Sequence, residues 1–205
     1  ATFRQMNDVN FPLEKVLESV KAAEAAGFET LKFNTVVKRG WNDHQILDLA
    51  AHFRGTKHIL RFIEYMDVGN TNGWRLDQVV PAKEIIETIH AKFPLVPVNS
   101  NYCGEVARRW RYQNGSGEIG VIASVTQPFC GECSRARLSA TGQLYTCLFA
   151  TSGQDLREML RSGASDEHIR TQIQTIWRDR IDHYSEIRSA NTSDLNKIEM
   201  SYIGG

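Results

Sequence analysis

The chain has 205 residues, of which 41% are hydrophobic and 23% charged, an ordinary composition for a soluble globular protein. Lysine plus arginine and aspartate plus glutamate number 24 each, so net charge gives no reason to expect a nucleic acid or a membrane as partner, and any anion site must be local. No apolar run approaches the roughly 18 residues of a transmembrane helix, and neither a signal peptide nor a disulfide scaffold is visible, so we expect a cytoplasmic protein.

The first hundred residues alternate between helical and strand patterns. Leu13, Val16, Leu17 and Val20 recur at helical spacing, and β-branched residues are frequent in TLKFNTVV. The patterns predict helices over 11–26, 42–54 and 82–92 and strands over 30–37 and 58–68. This alternation with short connections predicts parallel strands covered by helices.

After Pro97 the regular alternation of helix and strand patterns ends. Short strands are predicted over 106–112 and 117–125, a hairpin around a Thr141–Gly142 turn, and helices over 154–162 and 166–187. We therefore predict an α/β fold, the second half of an incomplete TIM-type barrel over residues 1–100, followed by a small α+β extension over residues 101–205.

Polar side chains interrupt both predicted strands of the first part. Lys32 lies on the same strand face as Asn34, and Arg61 and Glu64 interrupt the next strand. One interpretation is an ion pair of Arg61 with Glu64, and the other is anion binding at the mouth of a barrel, where strand ends carry the chemistry. Met66 and Arg61 have opposite strand parity, so both face one ligand only if a bulge or the strand end turns one of them.

Three of the four cysteines are clustered as Cys130-x2-Cys133-x13-Cys147. Counting around the hairpin turn places Cys147 opposite about Ala136, close to Cys133, so all three thiolates can converge. The spacing fits a structural zinc site with a fourth ligand such as Cys103 or a histidine. It also fits a [4Fe-4S] cluster with one open iron, whereas a redox-active C-x2-C pair leaves the third cysteine without a role.

Arg135 and Arg137 follow the second cysteine and alternate along a predicted strand, so both should point the same way. Two guanidinium groups beside a metal centre suit a polyphosphate or a carboxylate. The alternative is a solvated basic edge.

The stretch FCGECSRARLSATGQLYTCLF, together with LKFNTVVKRGWND, LRFIEYMDVG and the terminal SYIGG in the same order, resembles the GTP 3′,8-cyclase family. These are radical S-adenosylmethionine (SAM) enzymes of molybdenum cofactor biosynthesis, and the resemblance covers the whole chain. It implies a radical SAM barrel and a second [4Fe-4S] cluster held by Cys130, Cys133 and Cys147, whose unligated iron meets the guanine of GTP.

The resemblance also implies roles for other residues. Met66 would contact SAM, and Gly204 and Gly205 would reach into the active-site pocket, where only a backbone without side chains can approach ligands so closely. The residues expected to bind GTP are Lys32, Arg61, Arg135, Ala136 and Arg137.

One family feature is missing from these residues. The family's first cluster uses an N-terminal C-x3-C-x2-C motif, which binds and cleaves SAM to a 5′-deoxyadenosyl radical that attacks the 3′ hydrogen of GTP. The chain has no such motif and opens on ATFRQMN without Met, so we expect a fragment that holds substrate, carries no catalytic residue beyond substrate positioning, and is inactive alone. SAM and the first cluster would need the missing N-terminal part.

The expected partners are GTP and SAM, with cyclic pyranopterin monophosphate synthase acting downstream in the pathway and a homodimer as the candidate oligomer. No nucleic acid or membrane partner is expected. Two alternatives stay open, which are another radical SAM enzyme with an auxiliary cluster and a zinc-stabilised binding module with a three-cysteine site.

Overall fold

The structure is a computed structural model, and it describes residues 2–7, 9–188 and 196–203. The chain divides into two compact units, which are Ala1–Tyr65 with Asp77–Gln127, and Met66–Leu76 with Pro128–Gly205. The expected active-site residues Gly204 and Gly205 lie outside the described residues.

The first unit alternates helices and strands, as predicted. Its elements are α1 Thr2–Asn7, α2 Leu13–Ala25, β1 Lys32–Val37, α3 Ile46–Phe53, β2 Ile59–Glu64, α4 Ala82–Lys92, β3 Leu95–Val98, β4 Arg108–Tyr112 and β5 Glu118–Ile122. Short 3₁₀ turns cover Asp43–Gln45 and Leu76–Gln78. The predicted elements are confirmed in type, and helix α1 and strand β3 are additional elements that were not expected.

The strands of the first unit form a five-stranded mixed sheet among the described residues, in the order β1-β2-β5-β4-β3. β1, β2 and β5 run parallel, whereas β4 and β3 are antiparallel to their neighbours. The α/β class and the parallel pairing of β1 with β2 are thereby confirmed. The expected division at residue 100 stays a prediction, and β4 and β5, which follow that residue, pair within this sheet.

One face of the sheet packs against α3 and α4 and forms the core. Leu60, Phe62, Ile85, Ile89 and Val121 are almost completely buried there. Their side chains are removed from water, and this burial is the main stabilising contribution to the unit.

Glu64 is fully buried on the core face, where it accepts hydrogen bonds from three backbone N–H groups. The donors are Ala82, the first residue of α4, at 2.7 Å, and Val125 and Thr126, both at 2.8 Å. Because alternate strand residues face opposite sides, Arg61 lies on the other face. The interpretation of Arg61 and Glu64 as an ion pair is therefore wrong, and Glu64 instead caps α4 and fastens the segment after β5.

The second unit holds a three-stranded antiparallel sheet in the order β6-β7-β8 and, among the described residues, three helices. Its elements are β6 Arg137–Leu138, β7 Gln143–Tyr145, β8 Gln154–Asp155, α5 Leu156–Arg161, α6 Asp166–Arg178 and α7 Tyr184–Ile187. The predicted hairpin is confirmed, since Gly142 turns the chain with φ +82° and donates its N–H to the carbonyl of Ser139 at 2.9 Å.

The single helix predicted over 166–187 is wrong, because the chain leaves the helix after Arg178 and re-enters it at Tyr184. Between the two helices, Arg180 and Asp182 bond to other parts of the unit in place of continuing the helix. The hydrophobic spacing was compatible with one long helix, but these side-chain bonds were not visible from it.

A buried ion network ties residues 196–203 to the loop after β2. Asp67 is 2% exposed, and its carboxylate accepts from Arg188 Nε at 2.8 Å, from Lys197 Nζ at 3.0 Å and from the Tyr184 hydroxyl. Asn70 adds two bonds to the backbone of Lys197. None of the described helices is both long and apolar enough to span a membrane.

Candidate functional site

The three clustered cysteines lie on two segments of the second unit. Cys130 and Cys133 bracket a 3₁₀ turn that is closed by the Cys133 N–H bonding to the Cys130 carbonyl at 3.1 Å. Cys147 follows β7, and all three thiols are free and partly buried. The ladder pairs Arg137 with Tyr145, so its continued register places Cys147 level with Arg135. The predicted position opposite Ala136 is therefore wrong by one residue.

The surroundings of Cys147 raise the pKa of its thiol. Burial is the main cause, the hydrogen bond from the Phe149 N–H acts in the opposite direction, and the Asp182 carboxylate and the thiols of Cys130 and Cys133 raise the pKa further. No three His, Cys, Asp or Glu side chains within the described part of the chain lie close enough together to hold a single metal ion. The thiols thus share one neighbourhood without forming a single-ion coordination set.

Arginines surround Cys133. Arg135 Nη2 donates to the Cys133 sulfur at 3.0 Å, and Arg180 Nη2 donates to the Cys133 carbonyl. Burial alone would raise the pKa of the Cys133 thiol, but hydrogen bonds from Arg135 and Arg180 outweigh it, and the net pKa is lowered. These surroundings therefore make the Cys133 thiol more acidic than an ordinary cysteine.

Arg137 is half-buried, and no hydrogen-bond or ion-pair partner is found for it among the described residues. Burial lowers the pKa of its guanidinium, and the positive charge of Arg135 lowers it further, while Cys147 and Cys133 act in the opposite direction. Arg135 itself lies over the Phe129 ring, 5.1 Å from the centroid. Two adjacent cations, one of them partly desolvated, form a site that an anion would stabilise.

Two further predicted residues, Lys32 and Arg61, lie on the first unit's sheet face opposite the core. The register pairs Asn34 with Arg61, one pleat from Lys32. Arg61 covers Gly120, where an added Cβ would lie 3.1 Å from Arg61 Cγ. Within the described residues, neither Lys32 nor Arg61 has a hydrogen-bond or ion-pair partner.

The remaining predicted contacts fall elsewhere. Met66 belongs to the second unit, is partly buried, and accepts a bond from Asn72 Nδ2 to its carbonyl at 2.9 Å. Ala136 is exposed between the two arginines. The structure therefore groups the predicted residues into two sets, one in each unit, and their common ligand stays a prediction.

Two polar residues at the cysteines were missed by sequence reasoning. Arg180 bonds to Cys133, and Asp182 accepts from the Thr146 hydroxyl, next to Cys147. The local sequence RIDH gave no signal for them, since its one apolar residue, Ile181, is 88% exposed and the polar Arg180 and Asp182 are the partly buried ones.

The sheet and the arginine-flanked cysteines define an α/β protein with three free thiols grouped beside arginines. The profile of the family described as Molybdenum Cofactor Synthesis C matches residues 58–186. The chain belongs to this family.

Curated relatives match over essentially all of the chain. A GTP 3′,8-cyclase of Xanthomonas campestris pv. campestris (strain B100) is 48% identical over 205 residues, covering 100% of this chain and 60% of the relative. One from Acidothermus cellulolyticus is 48% identical over 230 residues, covering 100% and 64%. One from Staphylococcus epidermidis is 41% identical over 207 residues, covering 99% and 61%. The chain thus spans less than two thirds of the length of these relatives.

Proposed function

We propose that this chain is the substrate-holding part of a GTP 3′,8-cyclase. In the whole enzyme, SAM chemistry would convert GTP to (8S)-3′,8-cyclo-7,8-dihydroguanosine 5′-triphosphate in molybdopterin biosynthesis. The names of relatives that are 41–48% identical over 99–100% of the chain support this assignment. The parallel strands β1, β2 and β5 would be part of an incomplete TIM-type barrel, with residues 101–205 contributing the C-terminal extension.

Cys130, Cys133 and Cys147 would hold a [4Fe-4S] cluster. Each thiolate of such a cluster binds a different iron, so the ligands spread more widely than those around a single ion. The support for this assignment is the grouping of three free, partly buried cysteines on two segments of the second unit. When bound, the cluster would supply one iron without a protein ligand, at which the guanine of GTP could coordinate.

The observation that carries the proposal is the half-buried Arg137 beside Arg135. Their mutual repulsion and the burial of Arg137 are unfavourable without an anion, and the phosphates of GTP would supply one. The exposed backbone of Ala136 lies between them. Lys32 and Arg61 would bind further parts of GTP, and Met66 would contact SAM.

Anaerobic purification of the 205-residue chain tests the cluster. We expect a brown protein with about four irons per chain. A Cys133→Ser variant should lose the iron, while Cys103→Ser, which changes an exposed cysteine of the first unit, should keep it. A colourless protein with about one zinc per chain would support the binding module instead.

Calorimetry on the complete enzyme tests the arginines. Loss of a charged hydrogen bond costs about 1.5–3 kcal/mol, so Arg137→Ala should weaken GTP binding by about 10- to 100-fold at full iron content. Arg178→Ala, which removes an exposed arginine paired with Asp179, is the control. Equal GTP affinity in Arg137→Ala and the unchanged enzyme would argue against the proposal.

The 205 residues alone, which lack C-x3-C-x2-C, should form no 5′-deoxyadenosine.

A further inference from the structure

The connection between α6 and α7 has no regular secondary structure, and its side chains alternate between the interior and the solvent. Arg180 and Asp182 are partly buried and Tyr184 is buried, whereas Ile181 is 88% exposed and His183 is exposed. By this pattern of burial, Arg180, Asp182 and Tyr184 face the interior of the second unit.

The three inward side chains contact both cysteine-bearing segments. Arg180 donates to the carbonyl of Cys133, at the end of the first segment. Asp182 accepts from the hydroxyl of Thr146, next to Cys147 in the second segment. Tyr184 stacks on Phe149, two residues beyond Cys147, with ring centroids 4.5 Å apart and an interplanar angle of 17°. One short stretch thereby spans the gap between segments separated by 13 residues in sequence.

The stretch is itself fixed at both ends. The Arg180 guanidinium lies 3.9 Å from the centroid of the Trp177 ring, in the last turn of α6. Tyr184 begins α7 and donates its hydroxyl to the buried Asp67. A side chain that is held by its own surroundings positions its partner more accurately than a mobile one does.

We infer that residues 180–184 form a bracket that sets the separation of Cys133 from Cys147, with Arg180 and Asp182 as its two positioning residues. The bracket does not bind the ligand; it holds the two segments that would. For what the cysteines hold, the inference rests on the proposed function, whereas the bracket itself rests on these contacts alone. Partners behind metal ligands typically contribute about 10- to 100-fold in metal affinity.

The first test measures the loss of iron from the anaerobically loaded 205-residue chain to a ferrous chelator. Arg180→Ala and Asp182→Ala should lose iron about 10-fold faster than the unchanged chain. Arg180→Lys, which keeps a charged donor, and Asp182→Asn, which keeps an acceptor for Thr146, should recover part of the difference. Arg178→Ala is the matched control, because its side chain is 73% exposed two residues away.

Thermal melting of the cluster-free variants separates positioning from general destabilisation. We expect Gly163→Ala, a change at a positive-φ glycine remote from the cysteines in sequence, to lower the melting temperature without accelerating iron loss. Iron loss from Arg180→Ala at the unchanged rate, or no faster than from a variant of equal melting temperature, would overturn the bracket.

A second test needs no cluster. In a Cys103→Ser, Cys130→Ser background, dibromobimane can join only Cys133 and Cys147, and its fluorescence reports the cross-link. The yield should fall at least about 3-fold in Arg180→Ala and stay unchanged in Arg178→Ala. Equal yields would refute the bracket. A chain that takes up no iron but shows the predicted cross-linking would refute the cluster assignment alone.

Discussion

Asp67 illustrates how a single buried carboxylate can organise distant parts of the chain. It lies just beyond β2, and its partners Arg188 and Lys197 come more than 120 residues later. The side chains of these two cations are 4% and 1% exposed. Buried charges of opposite sign stabilise each other, because burying one charge without a partner costs far more free energy than burying the pair.

Asp67→Ala should therefore strongly destabilise the second unit. Removing one partner of a buried ion pair typically costs about 3–5 kcal/mol, since the other charge is left without compensation. Urea unfolding of the chain measures this loss. Asp179→Ala breaks an exposed ion pair and should leave the unfolding curve nearly unchanged. A similar effect of the two substitutions would contradict the role assigned to Asp67.

The same carboxylate predicts a pH dependence. Burial raises the pKa of Asp67, but the Tyr184 hydrogen bond and the charges of Arg188 and Lys197 outweigh burial and bring it below its ordinary 3.8. A depressed pKa contributes stability above the unfolded-state value, and that stability is lost as the pH falls through the folded-state value. Between about pH 5 and pH 2, the unfolding free energy of Asp67→Asn should fall less steeply than that of the unchanged chain.

Residues of the candidate site could be predicted where their role is indicated by spacing within a short stretch of sequence. The C-x2-C turn and the alternating Arg135 and Arg137 are visible in a few consecutive letters. Asp67 and Arg180 could not be found in this way, because their hydrogen-bond partners are distant in sequence and come close only in the folded chain. An offset of one residue in the hairpin register likewise displaced the expected position of Cys147, since pairing depends on the turn geometry.

At the scale of elements, the hairpin turn at Gly142 is packed against α5. An added Cβ at Gly142 would lie 2.6 Å from Arg157 Cβ, and the Gly142 carbonyl accepts the Leu156 N–H at 2.9 Å. The positive φ and this close approach both require glycine here. The turn thereby fixes the strand that leads to Cys147.

Gly142→Ala should destabilise the chain by more than Gly163→Ala. Both residues have nearly the same positive φ, +82° and +81°, but Gly163 has no atom within 4 Å of the added Cβ. Gly163→Ala should cost about 1–2 kcal/mol for conformation alone, and Gly142→Ala should add the clash with α5. Chemical denaturation of both variants measures the difference, and equal losses would show that α5 shifts without cost.

Element types were predictable and pairings were not. α4 has its predicted bounds, 82–92, because amphipathic spacing is a local property. The antiparallel β3–β4 pair and the interruption between α6 and α7 depend on contacts between distant residues. Local patterns cannot encode such contacts, so the mixed character of the sheet emerged only from the structure.

At the scale of the whole molecule, the two edges of the five-stranded sheet differ. Among the described residues, β1 and β3 end the strand order. β3 contains Pro97, which lacks a backbone donor and is typical of protected edges. β1, with the sequence KFNTVV, has no such residue and is the edge more prone to pair with a second chain.

Self-association of the 205-residue chain should therefore proceed through β1. Val36→Lys places a charge on this edge strand and should lower the associated fraction in sedimentation velocity, because edge charges oppose strand pairing. Val96→Lys, on β3 and similarly exposed, is the control and should have little effect. The reverse order of effects would assign association to the other edge.

Gly120, which lies beneath Arg61, is a position where a small substitution could shift a neighbouring side chain. A methyl group at position 120 would lie 3.1 Å from Arg61 Cγ and 3.3 Å from Ala107 Cβ, close enough that a neighbour must move by a few tenths of an ångström. Gly120→Ala would thus displace the Arg61 side chain or Ala107 by that amount while every charged residue of the sheet is kept. A single methyl group could then adjust the position of a cation on this face, with the number of charges held constant.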